Sequence, residues 1–387
     1  VSEESAQVVI IGGGVMGAST AFHLAEAGIT DVLLLERGDL AGGSTTKSAG
    51  GVRAQFTDAV NIALGARSLA AFENFAQRPG ADIDLRQVGY LFLHTTPAGL
   101  AAAESAVALQ NSMGVESRML SPDEASALSP GVITDDVLGA TFHARDGYCT
   151  PEAVVQGYAK AARAMGVRIR THEDVTGIDV AGGEITGVHT AAGRITTGTV
   201  VCTAGAWSRS IGAMAGVDLP VEPLRRQIIV TEPLDAAAQQ RFHATMPMTI
   251  DAASTFYLHR EGPALLFGMS YRGETTGFRD GYSEDWLPDL VAAMERRAPS
   301  LLDIGMAYRW AGYYEKTPDD NALIGEASQV SRFLYATGFS GHGFLQGPAI
   351  GEVMRDLVLR RDPVVDVSQF RADRFAEGTH LVEHGIV

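Results

Sequence analysis

Cysteine is scarce in this chain. Cys149 and Cys202 fall in no metal or redox motif, which leaves neither a disulfide framework nor a thiolate metal site. Cys202 lies inside the apolar run Thr199–Thr203 and reads as a buried thiol. Positive charge is also short, with 30 Lys and Arg against 46 Asp and Glu and a net charge of −16. That balance argues against nucleic acid or an anionic membrane as partner, because both need a cationic surface. No apolar run approaches the roughly 20 residues of a membrane helix. The opening VSEESAQ lacks the basic and apolar regions of a signal peptide. No internal repeat or low-complexity linker is evident. The expectation is a cytoplasmic protein without structural disulfides.

What is present is an ordinary globular composition, 46% hydrophobic and 20% charged, in 387 residues, enough for two or more cores. The organising stretch is VVIIGGGVMG, residues 8–17. Val8 to Ile11 are β-branched and suit a strand buried on both faces. Gly12, Gly14 and Gly17 follow at G-x-G-x-x-G spacing. The first makes the turn, the second lets a pyrophosphate approach, and the third lets the next helix lie close to the sheet. That helix, about 15–27, presents free N–H groups that favour an anion. A second strand, Val32–Leu35, ends at Glu36, 19 residues beyond Gly17, where an acid can accept hydrogen bonds from a ribose. A glycine turn without a nucleotide is the alternative, but strand, turn, helix, strand and acid stand here in order.

The loop from Arg37 to Arg53, RGDLAGGSTTKSAGGVR, is rich in glycine and small hydroxyl residues. It reads either as a surface loop or as a segment lying along a cofactor. A helix follows with Ile62, Ala66, Leu69, Phe72 and Ala76 on one face. A strand at 89–94, an alanine-rich helix and a capping box at Ser121–Glu124 suggest an inserted second domain. A helix (152–165) and a strand (168–170) come next, with a short β region through Val188. Residues 199–208 form a second strand–glycine–helix unit, expected to meet the same cofactor. Residues 223–250 and 256–270 read as strands, and a helix near 284–297 separates them from the stretch 309–314. A third unit closes the chain: strand 333–336, glycine-rich turn 337–344, helix 347–359. His380 and His384, at i, i+4, read as a metal pair or as part of a surface tail.

These segments resemble the FAD-dependent amine and amino-acid oxidoreductases of the D-amino-acid oxidase/sarcosine oxidase superfamily, and in particular its sarcosine oxidase β-subunit branch. The resemblance rests on GGGVMG at 12–17, GSTTKSAGGVR at 43–53, TAGAWS at 203–208, YYEKTPD at 313–319 and GFSGHGF at 338–344. It implies a Rossmann-like FAD-binding domain of α/β type (residues 1–85, 146–222 and 308–387). It also implies a discontinuous α+β, antiparallel-sheet substrate domain (86–145 and 223–307). Gly12, Gly14, Met16 and Gly17 would face the pyrophosphate and Glu36 the ribose. Ser44, Thr45, Lys47, Ser48, Ala49, Gly50 and Gly51 would face the middle of the cofactor. Gly205 and Trp207 would flank the nucleotide, and Val175 would touch adenine. Val15, Arg37, Ala204, Gly312 and Gly338 complete the implied cofactor set. Gly341, His342, Gly343, Phe344 and Leu345 would turn N–H groups toward the flavin's pyrimidine edge, where the reduced ring gathers negative charge.

For catalysis, Arg53 resembles the arginine that grips a substrate carboxylate; its alternative is a structural arginine paired with a loop carbonyl or acid. Tyr314 matches a substrate-cage tyrosine, or is a core tyrosine. Lys47 reads as a cation that assists flavin reoxidation, and His342 as a residue shaping the flavin loop or moving a proton. Leu345 stands where sarcosine oxidases often carry a carboxylate-holding lysine. Gly312 replaces a flavin-linking cysteine and Lys47 a flavin-linked histidine, so the FAD is expected to be non-covalent. Leu266 and Ser270 replace a dioxygen-activating lysine and a pocket histidine, which puts sarcosine and dioxygen in question as substrate and acceptor. No metal is expected. The implied reaction is hydride transfer from an amino acid to flavin, giving an imine that hydrolyses. The acceptor is dioxygen or an electron carrier, and the chain is a homo- or hetero-oligomer or acts alone. The rival readings are a subunit or assembly factor working only in a complex, and an NAD(P)H-dependent flavin monooxygenase.

Overall fold

The computed structural model describes residues 4–381. Among these residues the strands group into four sheets. The largest nucleotide-type sheet runs Leu323–Glu326, Phe333–Thr337, Val200–Cys202, Val8–Ile11, Val32–Leu35, Arg168–Arg170. All its pairings are parallel except that of the first two strands. Val8–Ile11 and Val32–Leu35 are buried throughout, as their unbroken apolar runs require. Long helices cover one face, and the other packs on the four-stranded sheet through Val175, Ile178, Ile185, Val188 and Ile195, with Ile211 of the short helix Ser208–Met214. Val15–Glu26 packs between Pro151–Ala164 and Gly343–Val358.

An eight-stranded sheet forms the other layer. Its order is Met306–Lys316, Glu222–Thr231, Ala264–Met269, Tyr257–Glu261, Met248–Asp251, Tyr90–His94, Gly139–His143, Arg118–Leu120. Its pairings are antiparallel apart from Met248–Asp251 with Tyr90–His94, where the two separate chain segments meet side by side. Period-two alternation divides its faces. Leu91, Leu93, Ile229, Leu258, Leu265 and Phe267 enter a core with Leu290 and Met294 of the helix Leu287–Arg297 and with Trp286 just before it. Tyr90, Met248, Ile250, Tyr257 and Ile228 face the other way, toward the first sheet's loops. Residues 308–316, expected with the nucleotide-binding segments, are hydrogen-bonded into this second sheet through the register Leu224↔Tyr314 to Val230↔Tyr308.

Several local expectations differ from what is observed. Residues 223–250 are not continuous strand: a helix, Ala236–Arg241, interrupts them, capped by Asp235 whose carboxylate accepts Ala238 N–H. A cap followed by Ala-Ala-Ala-Gln-Gln-Arg outweighs the flanking β pattern. The helix Ala59–Glu73 stops short of Ala76, which is exposed. The last long helix starts at Gly343 rather than at 347 and carries Pro348 inside it. The helix thus begins a turn earlier than expected, which brings its N-terminal end to the site. His384 lies outside the described residues, and His380 packs its ring 5.6 Å from Phe375. Among the described residues no group of three or more His, Cys, Asp or Glu could hold a metal, and no helix is long and apolar enough to cross a membrane.

Candidate active site

A cavity of about 770 Å³ runs from the glycine turn of the first sheet to the inner face of the second. At its outer end stand Gly12, Gly14, Val15, Met16, Glu36, Arg37, Val175, Ala204, Gly205 and Trp207. The Glu36 carboxylate accepts the N–H groups of Gly13 (2.7 Å) and Gly38 (2.8 Å), which holds it at the strand end with further lone pairs available. Arg37 stacks over the Trp207 ring at 3.9 Å, and Phe278 stacks on the same indole at 5.2 Å.

Ser44, Thr45, Lys47, Ser48, Ala49, Gly50 and Gly51 line the middle. Thr45 Oγ1 accepts the N–H of Val15 and so ties the loop to the start of the helix. Lys47 is exposed, and its Cβ would lie only 2.8 Å from a methyl on Gly312, so a glycine there lets loop and strand approach. At the inner end are Arg53, Gly312, Tyr314, Gly341, His342, Gly343, Phe344 and Leu345. Ser270 also lines the wall, whereas Leu266 does not and packs in a buried cluster with Ile228, Val230 and Ala264.

Two of the expected cofactor residues are not on the wall. A methyl on Gly17 would sit 1.9 Å from the Gly12 carbonyl, so Gly17 is where the helix rests on the turn rather than a surface for a ligand. Gly338 packs against Thr317 and donates its N–H to Glu315 (2.7 Å). The sequence reading passed over Glu315 although it quoted the surrounding YYEKTPD. This carboxylate lines the cavity and accepts hydrogen bonds from Thr337 Oγ1 (2.8 Å) and Gly338 N–H. Burial pushes its pKa up to about 7, against the downward pull of those hydrogen bonds. Arg226, Tyr90 and Tyr257 were also missed, because a strand's alternation names a face without saying what that face looks onto.

Arg53 is 4% exposed. Its Nη1 donates to the Gln55 carbonyl, and its guanidinium lies 4.3 Å from the Phe56 ring centroid and 5.5 Å from that of Phe92. Both guanidiniums, Arg226 and Arg53, lower the Tyr314 pKa against the larger upward effect of burial. His342, 6% exposed, caps the helix Gly343–Val358 and meets Phe56 edge-on at 5.1 Å.

Residues 7–357 match the family described as FAD dependent oxidoreductase. The chain belongs to that family. Human mitochondrial sarcosine dehydrogenase is 29% identical over 96% of this chain and 41% of its own length. Mouse mitochondrial dimethylglycine dehydrogenase is 27% identical over 97% and 45% respectively. The chain thus spans less than half the length of these curated relatives. Among solved structures, L-proline dehydrogenase from P. horikoshii superimposes with a TM-score of 0.91 at 30% identity, covering 98% of this chain and 100% of that one.

The residues present fit the family's cofactor. The turn at Gly12–Gly14 offers a cradle with no β-carbon, and a methyl on Gly14 would meet only Thr45 Oγ1 at 3.2 Å. Ser44 Oγ, on the cavity wall, is buried without a hydrogen-bond partner. The N-terminal ends of two helices, Val15–Glu26 and Gly343–Val358, line the same space, where a diphosphate and an electron-rich ring edge both need donors.

Proposed function

We propose that this chain uses non-covalently bound FAD to oxidise a primary or secondary amino acid at the carbon bearing nitrogen. The observation that carries this reading is the buried Arg53 guanidinium at the junction of the cofactor loop and the chamber under the eight-stranded sheet. FAD, when bound, supplies the acceptor for the hydride that leaves that carbon. Arg53 binds the substrate carboxylate and thereby orients the α-carbon. Tyr314, Tyr257, Met248, Ile250 and Ile228 make a largely apolar wall. Desolvation there, with two guanidiniums nearby, favours the neutral amine whose lone pair the C=N bond requires. His342 shapes the loop at the inner end, and Lys47 places a cation near the middle of the cavity.

In this reading the nucleotide-binding and substrate units divide near residues 85, 146 and 222, and the strand 306–316 is the seam between them. The names of the relatives (sarcosine, dimethylglycine and proline dehydrogenases) support a small amino-acid substrate. The acceptor is dioxygen or an electron carrier. The cysteine-poor composition suits a reducing compartment such as the cytoplasm. The test is anaerobic bleaching of the FAD-loaded chain by a panel of D-, L-, cyclic and N-methylated amino acids, repeated with Arg53→Lys. Loss of the bidentate grip should slow carboxylate substrates far more than simple amines, and equal effects on both would count against the role. The resemblance to the sarcosine oxidase β-subunit branch carries a second reading, a flavoprotein subunit or assembly factor working only within a larger complex. An FAD-loaded monomer inert toward the whole panel would support it.

A further inference from the structure

Arg225 and Arg226 are neighbours on one strand and meet opposite fates. Arg225 points to the far face, where its Nε donates to Glu274 at 2.8 Å, and both side chains are at most 8% exposed. Arg226 points into the chamber. It also lines a side cavity of about 160 Å³, together with Leu224, Ser270, Tyr314, Lys316, Asp320 and Ser340. Its Nη1 donates to the Arg225 carbonyl (3.2 Å) and its guanidinium stands 5.2 Å from the Tyr314 ring centroid. Its Nε has no hydrogen-bond partner. The carboxylates whose charge reaches it, Glu274 and Asp320, are already paired with Arg225 and Lys316. Ser270 Oγ, on the wall of both cavities, is likewise buried and without a partner.

A guanidinium removed from water without a counter-anion is costly, and burial lowers the pKa of Arg226 accordingly. An arriving carboxylate would fill the open donors of Arg226 and of Ser270 together. Tyr314, 5.2 Å from the Arg226 guanidinium, lines the same chamber as Arg53. Two guanidiniums lining one chamber match a ligand with two acidic groups rather than one.

We propose that Arg226 and Ser270 form a second anion subsite in the chamber, so that the preferred substrate is an amino acid carrying a second carboxylate on its side chain or nitrogen substituent. This rests on the amino-acid reading above, with Arg53 holding the first carboxylate. The FAD-loaded chain is assayed with an artificial electron acceptor on two matched pairs: iminodiacetate against sarcosine, and N-methylaspartate against N-methylalanine. The diacid of each pair is expected to give the higher kcat/KM. In Arg226→Gln the diacid-to-monoacid ratio of kcat/KM should fall about 30-fold or more, mainly through KM. Arg226→Lys should restore part of that ratio. Ser270→Ala, which leaves the strand intact, should lower it several-fold and serves if Arg226→Gln does not fold. A readout without turnover is the perturbation of the flavin absorbance by glutarate and by acetate. Glutarate should bind more tightly to the wild type, and that preference should vanish in Arg226→Gln. Amino-acid turnover with no diacid preference, or equal losses for both members of each pair, would overturn the subsite while leaving amino-acid oxidation intact. Arg226-dependent glutarate binding with no flavin bleaching by any amine would support the subsite and sink the amino-acid reading instead.

Discussion

Replacing Gly17 by alanine separates the role of the glycine turn in folding from its role in binding. The added methyl would lie 1.9 Å from the Gly12 carbonyl oxygen and 2.9 Å from Thr203 Oγ1. The carbonyl cannot swing aside easily, because Thr203 Oγ1 donates to it (3.1 Å) and to the Ile11 carbonyl (3.0 Å). Ordinary contact begins near 3.4 Å, so the helix Val15–Glu26 must retreat by about 1.5 Å from the turn. Overpacking of this kind costs about 1–3 kcal/mol. The obstacle here is backbone, so the upper end, about 3 kcal/mol, is expected. Gly14→Ala is the contrasting variant: its methyl meets only Thr45 Oγ1 at 3.2 Å and points to the cavity. Its cost to the cofactor-free chain should stay within about 1 kcal/mol, the usual loss for alanine at a helix N-cap. Its FAD affinity should drop at least about tenfold, because the methyl takes space that a pyrophosphate needs. Urea unfolding of the cofactor-free proteins, followed by circular dichroism, reads the first quantity, and FAD titration reads the second. A wild-type urea midpoint for Gly17→Ala, or wild-type FAD affinity for Gly14→Ala, would refute the assignment.

Two buried groups should give opposite pH trends that partly cancel in the wild type. Glu315 ionises near 4.5 when unfolded but only at about 7 when folded, so its stabilising contribution is complete below 4.5 and is lost as pH rises to about 7. Glu315→Gln should therefore gain on the order of 3 kcal/mol relative to wild type between pH 4.5 and pH 8 in urea unfolding, and a constant difference would contradict the assignment. His23, buried, with its Nδ1 2.8 Å from the Ser19 carbonyl, has its pKa lowered to about 4, mainly by burial. Stability present above 6.5 is lost as pH falls toward 4, on the order of 3 kcal/mol. His23→Gln should lack that acid limb, and the same acid-side slope in both proteins would exclude His23 as its source. Lys47→Met should slow reoxidation of the reduced flavin by dioxygen in stopped flow, and an unchanged rate would dismiss Lys47 from that step.

Much of the site could be read from one dimension because local steric rules govern it. A glycine turn between a buried strand and a helix, with an acid ending the next strand, has few other structural meanings. The chain indeed brings Gly12, Gly14 and Glu36 to one cavity with Gly205 and Gly341. The capping box at Ser121 and Glu124 forms as its spacing demands. Position relative to distant strands was not legible. That Arg226 faces the chamber while Arg225 meets Glu274 follows from a register shared with Met306–Lys316 and Ala264–Met269. Glu315 is shifted upward because the fold buries it, against the pull of hydrogen bonds from residues 337–339, and no neighbour in sequence announces that burial. The amino-acid sequence by itself determined the nucleotide-type turn, the alternation of the second sheet and the scarcity of positive charge, since each depends on residues close along the chain. Tertiary structure alone decided which of two adjacent arginines is left without a counter-ion. Burial and electrostatic pairing depend on what is near in space, and pairing strands from distant segments sets that.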